Sequence, residues 1–364
     1  MTAAQAKAAG LRATGLKATG MKVTEPETAD AAAGLSAAEQ EQFAASLHDA
    51  LTGADVPGAA RRWAAGDRAA GQALWRTLAG LGVTGLAVPE RWGGLGASLA
   101  DVVVACGELG HHPLPGPVPE LVAAVPVLLT ALGDEGLAAR WLPGLASGEL
   151  IATLAVPPRV PYAADAGVAD LVLLAEGDGL WLAQPGDQRQ SVDPARTLAA
   201  VYGREKLASG PAVAAAAARA FDAGTLACAA QLLGAGRALL EASVRHALQR
   251  VQFGQPVGAF QAVKHHLADV AIGLEFARPL TAAAAAALAA GDDCAGRDVS
   301  AAKVAATDAA YQAARVALQV HGAIGYTQEH DVHLWLTKVR ALAGAWGSQS
   351  WHRARVLSGD VSWI

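Results

Sequence analysis

The chain has 364 residues, 53% of them hydrophobic, with a formal net charge of −5 and a mean hydropathy of +0.27, a length that suits two or three packed modules rather than one small core. No face is basic enough to expect nucleic acid, and the apolar stretches are alanine-rich and interrupted by Arg, Asp, Glu or Gln, so no membrane span is expected. Three scattered cysteines, Cys106, Cys228 and Cys294, are odd in number and fit ordinary thiols in a reducing cytoplasm.

Residues 1–34 contain three tandem pentapeptides starting at Gly10, Gly15 and Gly20; five is neither a helix nor a strand period, so a flexible leader with weak targeting-peptide character is expected. Ser36-Ala37-Ala38-Glu39 is a capping-box sequence that opens a helix carrying Phe43 and Leu47. A helix near Gly71–Leu81 runs into the glycine-rich Pro89–Gly96 loop, and another runs from Ser98 to Leu109, where Gly110-His111-His112-Pro113 breaks it. Helices over Pro119–Leu132 and Leu137–Leu145 complete a helical module over 35–150. Residues 151–208 change character: Ile151–Val156, Leu171–Ala175 and Leu180–Ala183 are short strand-like runs separated by Pro, Gly and Asp. From 209 to 364 the pattern is long helices, over about 211–251, 260–290, 297–320 and 328–357, joined by short connections that make antiparallel neighbours. The expected fold is mainly α, with a small central β domain between a helical domain and a four-helix bundle.

Two glycine-punctuated turns stand out at the ends of these long helices. Arg250-Val251-Gln252-Phe253-Gly254-Gln255-Pro256-Val257-Gly258 offers a fixed cation, an aromatic ring and a tight turn, and Gln319 begins Gln-Val-His-Gly-Ala-Ile-Gly-Tyr. Arg is a forked, always-charged donor for phosphate oxygens, and Gly lets backbone come close to a ligand. With Gly82–Gly96 upstream, these segments resemble the acyl-CoA dehydrogenase family over roughly residues 40–360.

The resemblance implies FAD bound across a subunit interface. Arg250 would contact its diphosphate, with Gln252 and Phe253 beside the adenosine portion. Gln319, Gly322, Ala323 and Gly325 would form the loop under a neighbouring subunit's FAD, Ala323 standing where the family has a second glycine, and Gln261 would lie near the flavin. The family's Thr-Glu-Pro-x-x-Gly-Ser-Asp turn and Trp-x-Thr or Trp-x-Ser element have no counterpart in Pro157–Val168, so the central domain reads as trimmed. The family's catalytic Glu stands at one of two places. Here these read Gly224 and Ala345-Trp346-Gly347-Ser348, without a carboxylate. Asp222 is the one weak candidate for a displaced base, turned about 200° around the helix from Gly224.

No metal is expected: His330 and His333 crowd a helix start with Glu329 and Asp331 but lack a distant third ligand, and His111-His112 and His265-His266 read as surface or interface positions. Paired-subunit members of the family act on sterol side chains and other bulky CoA thioesters, one chain keeping the base. The resemblance therefore implies a subunit that completes the FAD site of a paralogous catalytic partner. Its reaction would be α,β-dehydrogenation of an acyl-CoA, with an electron-transfer flavoprotein as acceptor. A self-sufficient homo-oligomeric dehydrogenase using Asp222 and a non-catalytic acyl-CoA-binding scaffold are the alternatives.

Overall fold

Ser36 and Ser98 start helices by the same reciprocal device. In the computed structural model, which describes residues 34–358, the Ser36 amide donates to Glu39 Oε2 at 2.9 Å and the Glu39 amide to Ser36 Oγ at 3.4 Å. Two otherwise orphaned amides are satisfied, and α1 (Ala37–Thr52) begins there. Apart from Gly34, the leader lies outside the described residues. α2 (Val56–Ala64) and α3 (Ala69–Gly80) follow, then α4 (Leu99–His111), opened by Ser98 and Asp101. A π-helical turn at Glu120–Ala124 leads into α5 (Val125–Leu132), and α6 is Glu135–Ser147.

The sheet runs in the order β1 (Ala152–Ala155), β3 (Leu171–Glu176), β4 (Gly179–Arg189), β5 (Leu198–Ser209), β2 (Ala163–Ala164). β1 and β3 are parallel and the remaining pairs antiparallel. Leu171–Ala175 is buried throughout, as expected of an apolar run covered on both faces. The strand reading missed β2 and β5 and stopped β4 at Ala183. The β4–β5 pair shifts register at three places, and each shift interrupts the two-residue alternation by which a strand is recognised.

α7 (Pro211–Gln249) is the spine of the molecule, buried along most of its 39 residues. It meets α4 at a crossing of glycines. A Cβ at Gly110 would fall 2.1 Å from Gln231 O, and one at Gly234 would fall 1.9 Å from Gly107 O; only hydrogen fits between these backbones. A short hairpin, β6 (Val251–Gln252) and β7 (Gln255–Pro256), leads to α8 (Gln261–Ala290) and α9 (Ala295–His321). The last expected helix is in fact two, α10 (Val332–Gly344) and α11 (Gln349–Ser358), because Trp346 and Gly347 take φ of 57° and 96° and no helix passes through that conformation.

By length and composition α7 and α8 are each long and apolar enough to cross a membrane. The apolar window of α7 is 83% buried inside the protein, which makes it a core helix, whereas that of α8 is 28% buried. Ile272, Phe276 and Leu280, spaced four apart on one face of α8, remain exposed.

Candidate functional site

The two places that the resemblance assigns to a catalytic base, Gly224 and the 345–348 turn, lie against each other. Gly224 sits mid-helix in α7, and the Trp346 indole covers it so closely that a Cβ there would fall 2.5 Å from two ring carbons. Trp346 is 1% exposed. Its carbonyl accepts from His352 Nε2 at 2.8 Å and Thr225 Oγ1 at 3.4 Å, and its Nε1 donates to Glu120 Oε1 at 3.2 Å. The glycine and the tryptophan are therefore complementary: one vacates the volume that the other fills.

Glu120 is buried, with Arg196 3.8 Å from Oε1 and no partner for Oε2. Burial pushes its carboxyl up, and Arg196 only partly opposes this. Sequence reasoning missed it, since nothing local ties Glu120 to Trp346. Asp222, the weak base candidate, is 7% exposed and accepts from both terminal nitrogens of Arg355, at 2.6 and 3.1 Å. Burial raises its carboxyl too, against the pull of Arg355. The bidentate bond fixes α11 to α7 and occupies both oxygens that a base would use.

At the far end of α7 the character reverses. Arg250 caps the helix, its amide donating to His246 O at 2.8 Å, and its side chain is exposed. Phe253 and Gly254 both take positive φ, 54° and 81°, the pair a two-residue type I′ hairpin requires. The turn holds Phe253 at 92% exposure, its ring edge-on to Phe260 at 6.1 Å. Gln252 is exposed and donates to Val251 O, and Gln261 opens α8 beside His265.

Gln319, Gly322 and Ala323 are exposed at the end of α9. Gly322 has φ 64° with nothing within 4 Å of where a Cβ would stand. Gly325 departs from the expectation of an open, ligand-facing glycine. It is buried, and a Cβ would come within 3.2 Å of Leu318 Cδ1 and 3.3 Å of His321 Cβ, so it serves packing against α9. The His246 and His321 rings, 4.4 Å apart, hold the ends of α7 and α9 together and bring the two glycine-punctuated motifs to one end of the bundle. The two histidines that crowd the next helix start separate: His330 joins this ring pair, while His333 bonds the His330 carbonyl through Nδ1.

Chemically, the open end presents a guanidinium, an aromatic ring and bare backbone outward, groups that fit the diphosphate and adenosine end of FAD. At the centre, the buried indole of Trp346 fills the space between Gly224 and the 345–348 turn.

Comparisons with known proteins bear on the same elements. The N-terminal domain model of acyl-CoA dehydrogenases matches residues 37–149, and the C-terminal domain model matches 214–359. The acyl-CoA dehydrogenase IpdE2 of Mycobacterium tuberculosis is 34% identical over 295 residues, covering 79% of this chain and 86% of its own length. Among solved structures, the ChsE4–ChsE5 complex from Mycobacterium tuberculosis superposes with a TM-score of 0.77 at 22% identity, covering 90% of this chain and 99% of its own. A variant of the Tcur3481–Tcur3483 steroid ACAD gives 0.75 at 24% identity over 88% and 97%. At these identities the structural likeness shows the fold.

Proposed function

The chain belongs to the acyl-CoA dehydrogenase family of FAD-dependent oxidoreductases, and from that membership we propose that it is a base-lacking subunit that completes the FAD site of a paralogous catalytic partner. The observation that carries this reading is the Trp346 indole seated on Gly224. α,β-Dehydrogenation of an acyl-CoA needs a carboxylate to take the α-proton, and this chain fills that position with a buried ring. FAD, when bound, supplies the hydride acceptor for the β-carbon. Arg250 would grip the diphosphate through its fork, with Phe253 and Gln252 against the adenosine portion and Gln319, Gly322, Ala323 and Gln261 around it. All of them are exposed, which suits contact with a cofactor seated in a second chain.

The outward face of α8, with Ile272, Phe276 and Leu280, supports the presence of that second chain, since contiguous apolar surface marks an interaction site. A relative solved as a complex and another solved as a steroid ACAD favour a paired assembly and a bulky, polycyclic acyl group. Electrons would leave to an electron-transfer flavoprotein. Free thiols at Cys106, Cys228 and Cys294 suit a reducing cytoplasm.

The test is the visible spectrum of the purified chain, alone and co-expressed with acyl-CoA dehydrogenase-like chains of the same genome. Flavin absorbance in the complex only is the expected result. Arg250→Ala removes a charge-assisted bond of roughly 1.5–3 kcal/mol, so flavin affinity of the complex should fall about ten- to hundredfold. Stoichiometric flavin in the chain alone overturns the proposal.

A further inference from the structure

The junction of α1 and α4 carries a side-chain group that the dehydrogenase reading leaves unused. Sequence reading gave His111-His112 as surface or interface positions; within the chain His111 is 9% exposed. His48 on α1, His111 at the end of α4 and His112 just after it form a near-equilateral triangle, with ring centroids 5.0, 5.1 and 5.1 Å apart. One donor atom from each ring, and one oxygen of Glu108, lie within 4.8 Å of one another.

Hydrogen bonding decides where the lone pairs are. His48 Nδ1 lies 3.2 Å from Glu108 Oε2; a carboxylate only accepts, so Nδ1 carries the proton and Nε2 keeps a lone pair. His111 Nε2 donates to Glu241 Oε2 at 2.9 Å, which leaves its lone pair on Nδ1, and that atom is buried without a partner. His112 Nε2 is likewise buried without a partner. Three rings bound to one ion through nitrogens at about 2.0–2.1 Å with tetrahedral angles have centroids about 5 Å apart, the spacing found here.

We propose that His48, His111 and His112 bind a divalent transition-metal ion of the zinc class. Glu108 and Glu241 orient two of the rings from outside, as carboxylates do behind metal-bound imidazoles. Arg237 holds both oxygens of Glu108, at 2.7 and 2.8 Å, which keeps that carboxylate in the orienting role. A cavity of about 360 Å³ is lined by two of the three histidines, His111 and His112, on the side away from His48. The ion would tie α1 to α4 and, through Arg237 and Glu241, to α7.

The other histidine cluster, His246, His321 and His330, is the built-in contrast. Its rings are 4.4, 4.8 and 6.5 Å apart, and the Val332 amide donates to His330 Nδ1 at 3.2 Å. The proton of neutral His330 is therefore on Nε2, and the cluster does not offer three nitrogen lone pairs.

Tag-free full-length chain, stripped with a chelator, is titrated with Co²⁺ and followed by its visible bands, then back-titrated with Zn²⁺ against a chromophoric chelator. The expected result is one equivalent bound with tetrahedral-type Co²⁺ bands, displaced by Zn²⁺, and a melting temperature raised by metal. His112→Gln and the partly exposed His48→Gln should each weaken binding at least tenfold, Glu241→Gln about ten- to hundredfold, and His330→Gln not at all. Wild-type chain that is folded by circular dichroism yet binds neither ion saturably at micromolar free metal overturns the proposal. So does binding that is lost with His330→Gln and kept with His112→Gln.

Discussion

Trp346, 1% exposed, and Phe253, 92% exposed, mark two poles of this molecule. Both are aromatic, both take positive φ near 55°, at 57° and 54°, and both sit in turns that carry family motifs. The first turns inward and fills the space beside Gly224; the second is held out in solvent by a hairpin. A backbone conformation that costs on the order of 1 kcal/mol for a non-glycine residue is thus maintained twice, for opposite ends. On the function proposed above, one fold would close its own reaction centre and still keep a surface for another chain's cofactor.

The comparison can be broken most forcefully at the closed pole. Trp346→Ala removes a fully buried indole and should cost about 3–5 kcal/mol in urea unfolding, while the complex keeps its flavin below the new melting transition. Flavin lost together with the indole, in protein still folded, would mean that the two poles are not separate. Gly224→Ala tests the complementarity from the other side. A methyl 2.5 Å from the indole should destabilise by about 1–3 kcal/mol, and combining it with Trp346→Ala should recover part of that loss in a double-mutant cycle.

Glu120 sharpens the contrast through pH. Burial raises its carboxyl above the usual 4.5, so the folded chain holds the proton more tightly than the unfolded one. Below the unfolded value both states are protonated and there is no penalty; as pH rises toward the folded value, the unfolded chain ionises first and stability is lost. Glu120→Gln retains an acceptor for Trp346 Nε1 without the charge, so its stability relative to wild type should grow as pH rises above the usual 4.5 in chemical denaturation. A constant difference would show that the charge is not penalised. The smallest effect belongs to the open pole: Phe253→Ala should change the chain's own stability by less than about 0.5 kcal/mol yet weaken flavin retention in the complex.

Local chemistry made much of the fold legible. The Ser36–Glu39 capping box and the long alanine-rich helices appear where their residues imply, and α4 ends two residues past the expected break, with Gly110 and His111 still helical. β5 was not legible, because Leu198–Ser209 pairs through bulges that erase the alternation. The break between α10 and α11 was half visible: Gly347 is a signal, but a tryptophan at positive φ is not. At the site, Arg250 and Phe253 could be read from one hairpin. The contact of Trp346 with Gly224 and Glu120, and the triangle of His48 with His111 and His112, join residues far apart in the chain, and pairing of that kind leaves no trace in local spacing.

The glycine crossing of α4 and α7 has a mechanical consequence. With carbonyls standing where the methyls of Gly110 and Gly234 would be, the two helices touch main chain to main chain, and sliding one along the other would drive side chains into peptide planes. A joint of this kind locks in translation as well as rotation. The N-terminal helices and the C-terminal bundle are therefore keyed together at this joint.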